Sequence, residues 1–369
     1  MAAQYTYLAT DLVTGTVLGE LPVNNVSLDC QLLQPGNMSA GGKLSDKRLL
    51  SDEFIARTIP GKTAFWAYRD DQIVWGGIIW TREYQSNGKS LSITGQTFES
   101  YAAKRFPRSV LGTTSQLIFM GQQVAIAYLW QQLQSIHGGN IGVLPPVYPA
   151  GFDTVIQLSI DGWDLSKSYM DLMDGVAQQP GGPDWTIGWT EDGNGLPLKQ
   201  LIVGQPIGNP ISATDLTLDY PGPISSYVYS ENSSSGANSW WAVGDGSGST
   251  TTTGSATDAS YQTNGYPLIE GVNTYSGVTN QTTINAHATA DLKAFDTPLV
   301  THSVQLKADS MPPFGSYGMG DYLVFNATDP RFKNGITFTK RVIGWTIQPP
   351  DEGQGTEMIL PVLDEPSAN

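Results

Sequence analysis

Residues 64–97 read AFWAYRDDQIVWGGIIWTREYQSNGKSLSITGQT, and this stretch predicts three consecutive antiparallel β-strands. We expect the strands at Ala64–Arg69, Gln72–Tyr84 and Ser90–Thr97. Asp70-Asp71 joins the first pair, and Asn87-Gly88 lies in the turn of the second pair. Asn-Gly tolerates the positive φ angles of a tight hairpin. Apolar and polar residues alternate in the third strand, which indicates one buried and one solvated face.

A similar pattern occurs near the other end of the chain. Gly77–Thr81 reads GIIWT, and Val342–Thr346 reads VIGWT. A turn and a short strand follow in both places, at Leu91–Ile93 and at Met358–Leu360. The similarity predicts two small, related barrels separated by about 200 residues of mixed structure.

Composition favours a β-rich chain with extensive protein contacts. Only 14% of the 369 residues are charged, and 41 glycines and 23 prolines indicate many turns. Cys30 is the only cysteine, so an intramolecular disulfide is impossible, and we expect a buried, small apolar side chain. Neither a signal peptide nor a membrane-spanning segment is visible, which predicts synthesis in a cytoplasm as a soluble or assembling protein.

The net charge of −15 is unevenly distributed along the sequence. Residues 1–108 carry 11 basic and 10 acidic groups, whereas residues 109–292 carry 2 basic and 15 acidic groups. No lysine or arginine occurs from 200 to 292. An acidic surface repels phosphate, so direct binding of nucleic acid is not expected. The same sign of charge would suit a wall past which DNA slides without adhering.

The middle of the chain is predicted to mix helices and strands. The helices are expected at Ser115–Ile136, with Ser115 as N-cap, at Asp164–Gln179, with Asp164 as N-cap, and at Thr283–Phe295. Asn232–Ala259 is rich in Ser, Thr and Gly, which predicts a long loop or an irregular hairpin. The expected domains are therefore a barrel at 1–108, an acidic α+β region at 109–295 and a second barrel at 296–369.

No residue pattern indicates catalysis, a metal site or a cofactor. The three histidines, His137, His287 and His302, lie outside any hydrolase or metalloprotease motif. Turn or capping chemistry explains the paired carboxylates Asp161/Asp164 and Glu191/Asp192. We therefore expect a protein that is not an enzyme.

Trp240-Trp241 is the candidate contact site within the Ser/Thr/Gly segment. Adjacent tryptophans could stack on a sugar ring, anchor a partner protein or hold the loop on the core. Two roles are favoured over glycan binding: holding the loop on the core, or a contact between subunits. Tryptophan is enriched at protein interfaces.

Five stretches occur in a fixed order along the chain: Ile59–Phe65 (IPGKTAF), Val74–Trp80 (VWGGIIW), Asp219–Ile224 (DYPGPI), Pro312–Asp321 (PPFGSYGMGD) and Arg341–Trp345 (RVIGW). In this order they resemble stretches of the minor tail proteins of actinobacterial siphophages.

The resemblance implies a tail-tip or baseplate hub in the virion, assembled in the host cytoplasm. Such hubs are homotrimers with two tube-like β-barrel domains per chain, so three chains present a ring of six barrels to a hexameric tail tube. The implied partners are tail tube or distal tail proteins and tip or fibre proteins, and DNA passes through the channel during genome ejection. The resemblance offers no catalytic residues.

Two other functions stay open. A receptor- or glycan-binding adhesin would use Trp240, Trp241 and the surrounding segment for host attachment. A cell-wall hydrolase is the second alternative.

The hub interpretation also predicts that the segments at 64–97 and 336–362 superpose, related by roughly 60° about the threefold axis.

Overall fold

Strands, most of them paired antiparallel, are the commonest regular elements of the chain, as the alternating sequence predicts. The computed structural model describes residues 3–87, 89–146, 153–209, 216–234, 236–295, 299–350 and 357–364. The strands are β1 Tyr5–Asp11, β2 Val17–Glu20, β3 Asn24–Gln31, β4 Asn37–Lys43, β5 Thr63–Arg69, β6 Gln72–Gln85, β7 Ser90–Thr97, β8 Ser115–Gly121, β9 Val143–Leu144, β10 Val155–Asp161, β11 Asp184–Glu191, β12 Pro197–Gly204, β13 Thr217–Tyr220, β14 Ile224–Asn232, β15 Ser239–Val243, β16 Thr253–Thr257, β17 Glu270–Thr274, β18 Leu299–Lys307, β19 Tyr322–Ala327, β20 Ile336–Gln348 and β21 Met358–Asp364.

Helices occupy shorter stretches between these strands. The α-helices are α1 Asp52–Arg57, α2 Arg108–Leu111, α3 Gln122–Gln134, α4 Tyr169–Ala177, α5 Ser260–Thr263 and α6 Gln281–Ala294, and 3-10 helices occur at Lys47–Leu50, Phe98–Lys104 and Gly248–Thr250. The predicted mainly β class with a mixed middle region is confirmed.

The chain divides into two compact units. The larger unit comprises 1–226 and 305–369, and the smaller unit comprises 227–304. These units differ from the three segments expected from the sequence, whose boundaries stay a prediction.

The main sheet has thirteen strands, most of which belong to the larger unit. Eleven follow the order β14-β18-β21-β20-β3-β4-β7-β6-β5-β1-β2, and in addition β19 pairs with β20 and β13 pairs with β19. The predicted meander is confirmed as β5-β6-β7, and Asp70 and Asp71 both have positive φ in its first turn. The Asn87-Gly88 turn lies partly outside the described residues, because Gly88 is not among them.

The C-terminal strands also form a meander, β19-β20-β21, whose long middle strand contains a bulge as β6 does. Both meanders belong to the same sheet, because β20 pairs with β3. Among the described residues the sheets do not close into barrels, so the two predicted barrel domains are not confirmed. The superposition of the two meanders stays a prediction.

The core of the larger unit lies between this sheet, the Phe98–Lys104 helix, α3, α4 and the β11-β12 hairpin. Trp66 and Phe98 pack with ring centroids 5.1 Å apart, and Trp130 and Trp185 pack at 6.4 Å. Cys30 is buried and free, as expected.

The predicted helix at Ser115–Ile136 is wrong in its first half. Residues 115–121 form β8, which pairs with β10, and α3 begins only at Gln122 with Gly121 as its N-cap. Ile118 and Gln122 fit a helical spacing, but the SQLIFMG stretch also alternates like a strand. Pairing with residues 155–161 decides between the two patterns.

The predicted helix at Asp164–Gln179 begins later, at Tyr169. Ser168 is its N-cap, and Ser168 and Asp171 form a reciprocal capping box. Asp164 instead accepts hydrogen bonds from the backbone N–H and hydroxyl of Ser166 in the preceding turn. The third predicted helix is confirmed as α6, which Asn280 caps.

The Asn232–Ala259 segment is a hairpin rather than a long loop in its described part. β15 pairs antiparallel with β16 and parallel with β17, and α6 covers this small sheet through Ala242, Ile284 and Ala288. These elements belong to the smaller unit.

Gly344 is required where the C-terminal strands join the N-terminal ones. A Cβ at this position would lie 2.2 Å from the carbonyl oxygen of Cys30 on β3. We expect Gly344→Ala to separate β20 from β3 and to lower the free energy of unfolding by about 1–3 kcal/mol, as overpacking does. Urea unfolding measures this loss. Gly193→Ala is the matched control, because a Cβ there meets no atom within 4 Å. Equal unfolding midpoints for the two variants would contradict the expectation.

Candidate functional site

A row of small hydroxyl side chains crosses four neighbouring strands of the large sheet. Ser27 pairs with Ser39, Ser39 with Thr94 and Thr94 with Thr81, so the four residues lie side by side from β3 to β6. Asn37 pairs with Gln96 in the next row. We call this surface, together with Thr346 on β20, the polar sheet face.

Strict alternation in the sequence produces the polar sheet face. The intervening residues Leu28, Met38 and Ile93 are buried on the opposite side of the sheet. Because side chains of a strand point alternately to the two faces, the apolar set packs on the core and the hydroxyl set faces solvent.

The polar sheet face is concave and its groups bond to one another. It contains a pocket of about 490 Å³ in which Asp29 is the one charged residue of the described lining. Thr81 and Thr94 join their hydroxyl groups at 2.5 Å, and Gln96 donates from Nε2 to Oδ1 of Asn37 at 3.1 Å. Asp29 accepts a hydrogen bond from the backbone N–H of Asn37. The lining of this pocket is therefore polar and almost uncharged.

Both of the similar sequence stretches, GIIWT and VIGWT, contribute to this pocket. Thr81 ends the GIIWT stretch and Thr346 ends the VIGWT stretch, and both line it. The N- and C-terminal parts of the chain thus build one continuous surface.

Two buried ionisable groups connect separate segments beneath the sheet. Lys199 donates from Nζ to the carbonyl oxygens of Leu12, at 2.6 Å, and Ile141, and burial lowers its pKa to about 8. Glu99 accepts at Oε1 from Oγ1 of Thr186 at 2.7 Å and from the N–H of Ile187 at 2.6 Å. Burial raises the pKa of Glu99. Their partners are backbone groups and a hydroxyl, which is typical of structural positions.

A second pocket, of about 370 Å³, contains Arg341 with three carboxylates. Arg341 forms an ion pair with Asp184, and Asp174 and Asp364 also line the pocket. Burial raises the pKa of Asp174 to about 6 and also raises that of Asp364. Arg341 pairs directly with Asp184, and its charge also opposes the effect of burial on the pKa of Asp364.

The histidines lie in structural surroundings. His287 stacks on Tyr275 with ring centroids 3.9 Å apart, and His302 packs edge-on against Tyr229 at 5.3 Å. In the described ranges, no group of three or more His, Cys, Asp or Glu residues could hold a metal ion. None of the helices described has the length and apolar character of a membrane span.

Trp240 and Trp241 have different environments, although the sequence presents them as one feature. Trp240 is 8% exposed and packs on Phe295 at 5.3 Å, whereas Trp241 is 43% exposed. Trp241 donates from Nε1 to Glu270 at 2.9 Å and lies beside the exposed Val272. Only Trp241 is placed to touch a partner, and its role as a contact stays a prediction.

The sequence alone does not predict the polar sheet face, because its members lie far apart along the chain. The available signal was the alternation of Ser, Thr or Asn with apolar residues in β3, β4 and β7. The register that aligns these residues depends on long-range pairing, which alternation does not reveal.

Comparison with known proteins gives matches in structure but not in sequence. No protein-family profile matches the chain, and no curated protein matches it. A tail protein from Neisseria meningitidis is similar with a TM-score of 0.61 and 15% identity, over 97% of this chain and 96% of that one.

Two prophage proteins are similar over a comparable extent. The 43 kDa tail protein of prophage MuSo2 from Shewanella oneidensis has a TM-score of 0.64 and 10% identity, over 98% of this chain and 99% of that one. Prophage tail protein gp18 from Listeria monocytogenes has a TM-score of 0.53 and 9% identity, over 98% of this chain and 95% of that one. The chain therefore has the fold of phage tail proteins.

Proposed function

We propose that this chain is a structural protein of a phage tail tip rather than an enzyme. Three copies form a hub that joins the hexameric tail tube to the tip complex and surrounds the DNA channel. The observation that carries this proposal is the similarity of fold to three tail proteins over nearly the whole length of each chain.

The paired meanders support the proposed symmetry. Each chain carries β5-β6-β7 and β19-β20-β21, both with a long, bulged middle strand. Three chains with two such tube-like regions each would present six similar surfaces, which matches a sixfold tube.

The stoichiometry of purified tails tests this proposal. We expect three copies of the chain in each tail, at the end distal to the capsid, by quantitative mass spectrometry and by imaging with an antibody against the chain. Absence of the chain from intact tails, or six or more copies, would contradict the hub.

We further propose that the polar sheet face lines the DNA channel. Its hydroxyl and amide groups offer hydration without the cations that would bind phosphate. Because the described pocket on this face contains one carboxylate, this proposal gives the channel a nearly uncharged lining, and the acidic lining expected from the charge count stays a prediction.

Introducing a cation on this face is expected to slow DNA release. Ser39→Lys places an ammonium group at an exposed position in the middle of the hydroxyl row. Virions carrying it should assemble but eject DNA several-fold more slowly at low salt, and added salt should relieve the delay by screening. Fluorescence of a DNA-binding dye measures ejection after triggering. Thr289→Lys on the exposed side of α6 is the matched control. Equal ejection rates for both variants would remove the channel assignment.

An adhesin is the second candidate, and the exposed indole of Trp241 favours it. Its hydrogen bond to Glu270 fixes the ring beside Val272 on the outer face of the small sheet. Loss of adsorption by Trp241→Ala virions that assemble normally would support this function, and a glycan array would identify a sugar ligand.

A further inference from the structure

The sheet formed by β8 and β10 exposes an apolar face. Leu117 and Phe119 on β8 and Val155 on β10 are 58%, 67% and 68% exposed. In the register, Leu117 is opposite Ser159, Phe119 is opposite Gln157 and Val155 is opposite Gly121, so the three apolar side chains share one surface with small or uncharged neighbours. We call this surface the hairpin face.

The other side of the same sheet already packs on the core. Ile156, Leu158 and Ile160 are buried with Ala125 and Leu129 of α3. An antiparallel sheet with one buried face normally carries polar residues on the other, so the hairpin face departs from the expected pattern. Within the described residues this sheet has only two strands, and two strands alone are marginally stable. Both observations favour a partner on the hairpin face.

The surroundings of the hairpin face restrict the kind of partner. Residues 109–152 contain no Asp, Glu, Lys or Arg. Nucleic acid and anionic membranes are held by basic residues, which this stretch lacks. The cores of protein interfaces are depleted in charge, as the centre of the hairpin face around Phe119 is, and Asp161 lies at the end of this face.

Charge also favours a second copy of this chain as the occupant. The chain has a net charge of −15, so two copies repel each other over most of their surfaces. They meet at the lowest electrostatic cost where both surfaces are uncharged. The stretch 109–152 is the longest such region near the hairpin face and includes a second apolar feature.

That feature is a groove of about 310 Å³ beside α3. Val124, Tyr128, Pro145 and Pro146 line it with Leu201 from β12, and none of the described lining residues is charged. An apolar surface and an apolar groove at different places on one chain are suited to a head-to-tail contact, which closes into a ring when the rotation allows.

We propose that the hairpin face of one copy packs into the α3 groove of the next copy. This inference rests on the proposed trimeric hub and identifies its subunit contact. Each copy then inserts its own hairpin face into one neighbour and receives the hairpin face of the other neighbour in its groove, so three copies close the ring with every hairpin face covered.

Two variants and their mixture test the contact. Phe119→Asp places a charge on the hairpin face, and Val124→Asp places one in the groove, where Val124 is 43% exposed. Each should weaken self-association by about 30-fold or more, as loss of an interface anchor does, and yield monomers in native mass spectrometry. Circular dichroism and thermal unfolding should match the unchanged chain, because both side chains are exposed.

Mixing the variants provides the decisive observation. A Phe119→Asp copy retains an intact groove and a Val124→Asp copy retains an intact face, so their mixture should form a one-to-one dimer and no larger ring. Val228→Asp, at a valine that is 60% exposed on β14, is the matched control and should assemble normally.

Three outcomes would overturn the inference. Normal trimers of both variants would remove this contact while leaving the hub intact. No dimer in the mixture would show that face and groove do not meet. The purified chain could also be a monomer that is incorporated into tails only when Phe119 is unchanged. In that case the hairpin face would bind another tail protein. Absence of the chain from tails, by contrast, would remove the hub itself.

Discussion

Arg341→Met is expected to lower the free energy of unfolding of the larger unit by about 3–5 kcal/mol, as removal of one partner of a buried ion pair does. Arg341 donates from Nε to the carbonyl oxygen of Gly320 at 3.0 Å and from Nη2 to that of Ile207 at 2.7 Å. The same Nη2 pairs with Asp184, whose side chain is 14% exposed. Methionine fills a similar volume but removes the donor to both carbonyl groups and leaves the carboxylate without its cation.

The position of Arg341 explains the size of this effect. Asp184 belongs to the β11-β12 hairpin, Arg341 to the C-terminal meander and Ile207 to the segment between them. Asp184 also accepts from the N–H of Ile207 at 3.0 Å, so one carboxylate and one guanidinium connect three parts of the unit. The nearby Asp174 and Asp364 add negative charge that methionine cannot offset.

Urea unfolding followed by tryptophan fluorescence measures the loss. Arg331→Met is the matched control, because Arg331 is exposed and surface changes stay within about 0.5 kcal/mol. Adding Asp184→Leu to Arg341→Met should recover part of the loss, since the uncompensated carboxylate is removed. If Arg341→Met unfolded at the same urea concentration as Arg331→Met, the ion pair would contribute little to stability.

Trp240→Ala is expected to destabilise the smaller unit by about 3–5 kcal/mol, the usual cost of truncating a buried tryptophan. The indole lies against Gly271, where an added Cβ would approach it to 2.7 Å, and against the ring of Phe295. No smaller side chain fills the space between β15, β17 and the end of α6.

Trp241→Ala is the matched change at the next residue, and its expected cost is below about 1 kcal/mol because the ring is half exposed. Hydrogen exchange resolved by segment compares the stability of residues 227–304 in the two variants. Equal protection would contradict the different burial of the two tryptophans. The two substitutions should differ in the opposite way in binding: Trp241→Ala should weaken binding to a partner while the smaller unit stays folded.

These two tryptophans illustrate what the sequence could and could not predict. The Ser/Thr/Gly segment around them indicates irregular structure, yet β15 places the neighbours on opposite faces because a strand has a period of two. The capping box of Ser168 and Asp171 follows a local sequence pattern, whereas Asp164, the predicted N-cap, lies in the preceding turn. The meander at 64–97 was predictable because alternation and turn residues act locally there.

The pairing of β20 with β3 was beyond the reach of sequence patterns. Leu28–Gln31 and Gly344–Ile347 are each consistent with a strand, but no local signal joins segments more than 300 residues apart. The polar sheet face and the Arg341 ion pair depend on the same pairing. Local elements were therefore predictable, whereas the candidate site depends on tertiary register.

The same strand pair has a consequence for synthesis of the chain on the ribosome. β3 emerges early, but its partner emerges only near the end of translation, about 15–60 s later at typical elongation rates. During this interval β3 is an open edge that could pair with another nascent chain. The smaller unit is continuous in sequence and has its own core, so it can fold before β20 is available to pair with β3. Premature termination before β20 should therefore yield aggregates that contain a folded smaller unit.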